Sequence, residues 1–65
     1  MIFTLEIEGK LKKCKVHEPF LSALIEWNEL RQMLPPGSKQ DDFAKARVRT
    51  IARKCVQAGF YEVMS

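Results

Sequence analysis

The chain has 65 residues, of which 46% are hydrophobic and 29% charged, and its formal net charge of +3 comes from residues 39–65. This length predicts one domain (1–65) with a single small core, and the composition excludes disorder throughout. No apolar run approaches the roughly 20 residues that a membrane helix needs, and the first residues lack the apolar core of a signal peptide. We therefore expect a cytoplasmic protein with no membrane partner.

Residues 1–16, MIFTLEIEGKLKKCKV, predict a β-hairpin. Apolar and polar residues alternate from residue 3 to residue 8, which is typical of a half-buried strand. A two-residue loop at Gly9 and Lys10 would be a type II′ turn, with glycine at the position of positive φ. This is the register that we favour, since it pairs apolar with apolar and acid with base: Leu5 opposite Cys14, Phe3 opposite Val16, Glu6 opposite Lys13 and Thr4 opposite Lys15.

Residues 18–34 predict a helix, with Pro19 at its first position and the sequence PPGS after it. At 100° per residue one apolar stripe collects Phe20, Ala23, Leu24, Trp27, Leu30 and Leu34. Leu21 and Ile25 lie to one side of it, so the apolar arc is wider than one contact surface requires. Either these residues meet a partner, or the helix is sandwiched between the sheet and a second helix, which would bury both sets.

Ser38 is a good N-cap for a second helix, with Asp41 at the third position, and Gly59 is well placed to end it. The residues FYEVM then predict a short third strand at an edge of the hairpin. The inner stripe of this helix is predicted to be Ala44, Val48, Ile51, Cys55 and Ala58. The fold class is therefore α+β: a two-layer β-β-α-α-β domain, with the N-terminal hairpin and a short C-terminal strand forming a small antiparallel sheet under a helical hairpin.

Metal, nucleophile and acid–base chemistry each lack a convincing set of residues in this sequence. Cys14 and His17 have the spacing C-x-x-H, but in a strand these positions point to opposite faces. We expect His17 to be exposed at the strand end. Cys14 and Cys55 are expected to be buried free thiols, although one disulfide between them is arithmetically possible. The sequence therefore predicts a protein that is not an enzyme and holds no metal or cofactor.

The segment KARVRTIARK, residues 45–54, contains five cationic residues and no acid. Lys45, Arg49 and Arg53 follow one side of the predicted helix, while Arg47 and Lys54 lie on the opposite flank. Cations that border an apolar stripe on both sides are typical of a solvated amphipathic helix. The alternative is that Lys45, Arg49 and Arg53 follow a nucleic-acid backbone, as in a helix-turn-helix.

Two segments resemble parts of known families. SKQDDFAKARVRTIARKCVQAGFYEV, 26 residues, resembles the recognition helix and following strand of winged-helix domains, which implies DNA binding; the printed sequence stops where the wing would begin. FTLEIEGKLKKCKV with the following helix resembles the start of small phage tail-assembly chaperones, over less than half of the chain. Neither resemblance is specific enough for a family assignment.

Taken together, these patterns predict a non-catalytic protein–protein interaction module, such as a small regulatory, adaptor or inhibitor protein of phage type. Self-association into a homodimer is left open. The predicted interface residues are Leu21, Ile25 and Trp27. The alternative function is nucleic-acid binding through Lys45, Arg49 and Arg53, in a helix-turn-helix or winged-helix-like manner.

Overall fold

The sheet of this protein is built around its second strand. In a computed structural model that describes residues 1–64, the elements are β1 (Ile2–Ile7), β2 (Lys10–Val16), α1 (Phe20–Met33), α2 (Lys39–Ala58) and β3 (Tyr61–Val63). The strands form one antiparallel sheet in the order β1-β2-β3. The α+β fold class and the element order β-β-α-α-β are therefore as predicted, and the third strand joins an edge of the hairpin.

The register of the hairpin differs from the predicted one by two residues. Ile7 pairs with Lys10, so the loop is Glu8–Gly9, and both loop residues have positive φ, 53° and 78°. Two positive φ values define a type I′ turn, whose twist matches that of the strands. Phe3 therefore faces Cys14, Leu5 faces Lys12, Thr4 faces Lys13 and Glu6 faces Leu11.

The predicted type II′ turn is therefore wrong, and so are the four predicted pairs: Leu5 with Cys14, Phe3 with Val16, Glu6 with Lys13 and Thr4 with Lys15. A shift of two residues keeps every side chain on its predicted face, because side chains alternate with a period of two. Leu5 and Cys14 are accordingly both buried. The alternation of apolar residues predicts the faces of the hairpin but cannot choose between these two registers.

Helix α1 begins at Phe20, directly after Pro19, and ends at Met33. Its next residue, Leu34, is extended, as expected for a residue that precedes a proline. Leu24 is the buried residue of this helix. The predicted inner stripe is too long at its C-terminal end, because Leu30 is 40% exposed.

Helix α2 is capped at both ends by its own residues, as the sequence predicts. The Ser38 hydroxyl accepts a hydrogen bond from the Asp41 N–H at 3.1 Å. At the other end Gly59 is left-handed, and the N–H groups of Gly59 and Phe60 donate to the carbonyls of Val56 and Cys55. These two bonds form a Schellman motif.

The core joins the sheet and both helices. Its buried cluster contains Leu5, Cys14, Val16, Leu24, Ile51 and Cys55. Of the predicted inner stripe of α2, Ala44 is also buried and Val48 is half-buried, but Ala58 is exposed because it lies at the last turn before Gly59. Both cysteines are free and buried, as predicted. None of the helices in residues 1–64 is long and apolar enough to cross a membrane.

Candidate functional site

The three predicted interface residues occupy different environments. Leu21 and Trp27 are half-buried and pack against the core cluster, whereas Ile25 is half-buried and outside it. Leu21 therefore serves the core at least in part. Trp27 is the member of the set that borders a cleft on the surface.

This apolar cleft lies between α1 and the start of α2. It is lined by Trp27, Leu30, Leu34 and Phe43, with Lys39 and Gln40 at its rim, and its volume is about 470 Å³. The Phe43 side chain is 61% exposed, and its ring meets the Trp27 ring edge-on, with centroids 5.9 Å apart. Two aromatic rings and two leucines thus form an open apolar surface.

Phe43 and Leu30 are functional candidates that the sequence reasoning missed. Phe43 lies one residue before Ala44, about 100° away from the centre of the buried stripe of α2. An aromatic residue that far from the stripe is a signal that could have identified it. Leu30 lies on the predicted apolar stripe with Trp27, but it is 40% exposed in the structure.

The second candidate surface is a basic groove of about 820 Å³ between β1 and α2. Along α2 the groove is lined by three cations, Lys45, Arg49 and Arg53, and by Val48, Ala52, Val56 and Gln57. Arg31 of α1 adds a fourth cation, which the sequence reasoning did not include. The facing wall consists of Thr4, Leu5 and Glu6 of β1, Gly9 of the loop and Leu11 of β2.

Asp41 partly neutralises one end of the basic groove. Its carboxylate lies 3.6 Å from the Arg31 Nε and 3.6 Å from the Lys45 Nζ, the latter being the predicted i,i+4 pair. It also accepts a hydrogen bond from the Gly37 N–H at 3.3 Å. This backbone bond, opposed by burial and aided by the two cations, holds the pKa of Asp41 below its ordinary value. Arg49 and Arg53 lie further along the helix and make no ion pair within residues 1–64.

The remaining cations of α2 lie away from the basic groove. The Arg47 guanidinium lies 5.8 Å from the centre of the Trp27 ring, which borders the apolar cleft. Neither Arg47 nor Lys54 lines the groove. The five cations of residues 45–54 are therefore divided between two flanks of the helix, and three of them share one surface.

The titratable groups near the sheet do not converge. His17 is exposed and lies 3.8 Å from Glu62, while Cys14 is fully buried. In the part of the chain that the structure describes, no three His, Cys, Asp or Glu residues are grouped as metal ligands. Burial, with the neighbouring Cys14 thiol, raises the pKa of the Cys55 thiol, which disfavours the reactive thiolate.

Comparisons with protein-family models, with curated proteins and with solved structures found no match to this chain. The function of this protein is therefore inferred from its two surfaces, the apolar cleft and the basic groove.

Proposed function

We propose that this protein is a non-catalytic protein–protein interaction module, and that the apolar cleft is its binding surface. The observation that carries the proposal is the exposed Phe43 ring packed edge-on against Trp27. Leu30, which also lines the cleft, is 40% exposed. A regulatory, adaptor or inhibitor protein of phage type is the kind of protein that this proposal describes.

Leaving the apolar cleft exposed to water costs free energy. Burial of apolar area is worth about 25 cal/mol per Å², and an aromatic side chain offers 150 to 250 Å². Trp27 packs against the core cluster and the Phe43 ring packs against Trp27, so part of the side-chain freedom of these two residues is already lost before binding. The partner would contribute an apolar side chain that enters between Leu30 and Phe43.

The test is affinity capture from a lysate of the source cells with the full chain immobilised. We expect at least one protein to be retained by the wild type and lost from the double variant Leu30→Ser with Phe43→Ser. The matched control is Val63→Ser with Met64→Ser, which removes similarly exposed apolar side chains at β3. If no captured protein shows this pattern, the apolar cleft is not a binding surface.

Self-association is distinguished by sedimentation of the purified protein. If the partner is a second copy of this chain, the wild type will sediment as a dimer and the Leu30→Ser, Phe43→Ser variant as a monomer. A monomeric wild type that still captures a protein through the cleft indicates a different partner.

The cytoplasmic location is likewise proposed, with the free thiols of Cys14 and Cys55 in support.

Nucleic-acid binding is the second candidate, and one observation favours it. The three residues predicted for it, Lys45, Arg49 and Arg53, line one groove together with Arg31. In that case affinity for DNA or RNA should fall steeply with salt, and Arg49→Ala with Arg53→Ala should flatten the slope. Capture that disappears after nuclease treatment would also support this candidate against the first.

A further inference from the structure

We propose that the basic groove and the open edge of β1 bind an extended acidic peptide, which adds to the sheet as a fourth strand. The peptide would carry carboxylates at alternate positions, facing Arg49 and Arg53. This inference extends the proposed protein-binding function from the apolar cleft to a second surface.

Part of the backbone of β1 points away from the rest of the sheet. The Lys13 carbonyl accepts a hydrogen bond from the Met64 N–H at 2.9 Å, so the backbone groups of Lys13 point towards β3. Thr4 is opposite Lys13 and is therefore in a non-hydrogen-bonded pair, with its own N–H and C=O pointing away from β2. By the period of two, the groups of Ile2 and Glu6 point the same way. Since β1 pairs with β2 alone within residues 1–64, these three residues present donors and acceptors along an open edge.

The open edge of β1 also forms a wall of the basic groove. Thr4 and Glu6 line the groove opposite α2. From Lys45 to Val56 the helical wall is about 16 Å long, at a rise of 1.5 Å per residue. An extended chain covers that length with about five residues. The groove therefore has the length of a short strand that lies between β1 and α2.

The charges that line the groove favour an acidic ligand. Four cations line the groove, against one acid, Glu6, and the Asp41 carboxylate nearby. Asp41 holds Arg31 and Lys45, so Arg49 and Arg53 are the cations left to bind a ligand. They are one helical turn apart, on the same side of α2. Carboxylates in alternate positions of an added strand point to one face of the sheet and would reach this side of the helix.

The same observations favour a peptide over a nucleic acid. An open strand edge offers alternating N–H and C=O groups, which a second peptide backbone can satisfy and a phosphate backbone, with acceptors alone, cannot. Single-stranded nucleic acids are also held by bases stacked on aromatic rings. Among the residues that the structure describes, those lining the groove include no aromatic side chain.

The experiment uses the full chain and labelled probes, with binding measured by fluorescence anisotropy at low salt. The first probe is a peptide of about ten residues that alternates Glu and Val; the second has Lys in place of Glu; the third has one central Val replaced by Pro; the fourth is oligo-dT of about ten nucleotides. We expect the Glu peptide to bind and the Lys peptide not to bind. The proline peptide should bind about tenfold more weakly, because proline lacks the N–H that the edge needs.

Two double variants with the same loss of charge separate the groove from general electrostatics. Arg49→Ala with Arg53→Ala should weaken the Glu peptide about tenfold, whereas Arg47→Ala with Lys54→Ala should stay within about twofold. Hydrogen exchange of the Thr4 and Glu6 amides should slow when the Glu peptide is bound. These amides report directly on strand addition, since a peptide that touched only the arginines would leave them unchanged.

Three results would overturn the proposal. The Glu peptide could fail to bind at low salt, the Thr4 and Glu6 amides could exchange at the same rate with and without it, or oligo-dT could bind more tightly through Arg49 and Arg53. The last result would assign the groove to nucleic acid. Because Leu30 and Phe43 do not line the groove, their double variant should bind the Glu peptide as the wild type does. The experiments therefore test the proposal for the apolar cleft and the proposal for the groove independently.

Discussion

Asp41 is a buried carboxylate that connects the two helices at the start of α2. The exposed fraction of this residue is 5%, and the carboxylate contacts the Gly37 N–H and the charged groups of Arg31 and Lys45. The Arg31 Nε is itself buried and has no hydrogen-bond partner within residues 1–64, so the Asp41 charge at 3.6 Å is its main compensation. Removing the charge of Asp41 should therefore destabilise the junction of α1 and α2.

We predict that Asp41→Asn lowers the free energy of unfolding near neutral pH and that the difference disappears in acid. The pKa of Asp41 in the folded protein is below its ordinary value of 3.8. Folding thus favours the charged form, and this stabilisation is present above pH 3.8 and is lost as the pH falls through the lower folded pKa. Urea unfolding of both proteins from about pH 7 to about pH 2 measures the difference.

Asp42→Asn is the matched control, because its carboxylate is exposed and makes no ion pair in the described residues. It should change the free energy of unfolding less near neutral pH. A difference for Asp41→Asn that stays constant over the whole pH range would show that its charge does not stabilise the fold.

At the level of secondary-structure elements, the hairpin loop provides a test of the strand register. Glu8 has φ of 53°, a conformation that costs an ordinary L-residue about 1 kcal/mol and that asparagine tolerates better. We predict that Glu8→Asn raises the free energy of unfolding by up to about 1 kcal/mol, because Asn-Gly is the preferred type I′ pair. Thermal or urea unfolding measures the gain.

The control for this prediction is Lys10→Asn. In the observed register Lys10 pairs with Ile7 in the ladder, where asparagine is a poor strand former. In the type II′ register favoured by sequence, Lys10 would be in the loop and Glu8 in the strand, so the two effects would be reversed. Stabilisation by Lys10→Asn with destabilisation by Glu8→Asn would therefore contradict the observed register.

The elements and most of their buried faces could be predicted from the sequence, because each rests on local signals. Ser38 and Gly59 mark the ends of α2, and the spacing of Ala44, Ile51 and Cys55 defines its inner side. The hairpin register could not be predicted, since both registers bury the same side chains and glutamate is an unusual first residue of a type I′ turn.

The surfaces were only partly predictable, because exposure depends on where neighbouring elements end. Trp27, Lys45, Arg49 and Arg53 were identified from spacing on a helix. Phe43, Leu30 and Arg31 were not, since each becomes part of a surface only when the two helices pack against each other. The edge of β1 likewise required the strand order, and no residue pattern distinguishes an outer strand of the hairpin from a central one.

At the scale of the whole molecule, stability depends on a core of few residues. A chain of 65 residues is expected to have a free energy of unfolding of a few kcal/mol, at about 0.05 to 0.15 kcal/mol per residue. Leu24 is 1% exposed and is the buried residue that α1 contributes to the core. We predict that Leu24→Ala costs about 2–5 kcal/mol and leaves much of the protein unfolded at room temperature.

Circular dichroism during urea titration measures this loss. The matched control on the same helix is Met33→Ala, whose side chain is 77% exposed, and it should change the free energy of unfolding by less than about 0.5 kcal/mol. A Leu24→Ala variant as stable as this control would mean that α1 does not anchor the core.

The two proposed surfaces lie on opposite flanks of α2, and the chain contains one tryptophan. Its indole borders the cleft and is absent from the lining of the groove. The intrinsic emission of the unlabelled protein is therefore a spatially selective optical probe. A ligand that covers Phe43 will shift the emission spectrum to shorter wavelength, whereas a peptide beside β1 will leave the spectrum almost unchanged. A single fluorescence measurement therefore distinguishes the two modes of binding.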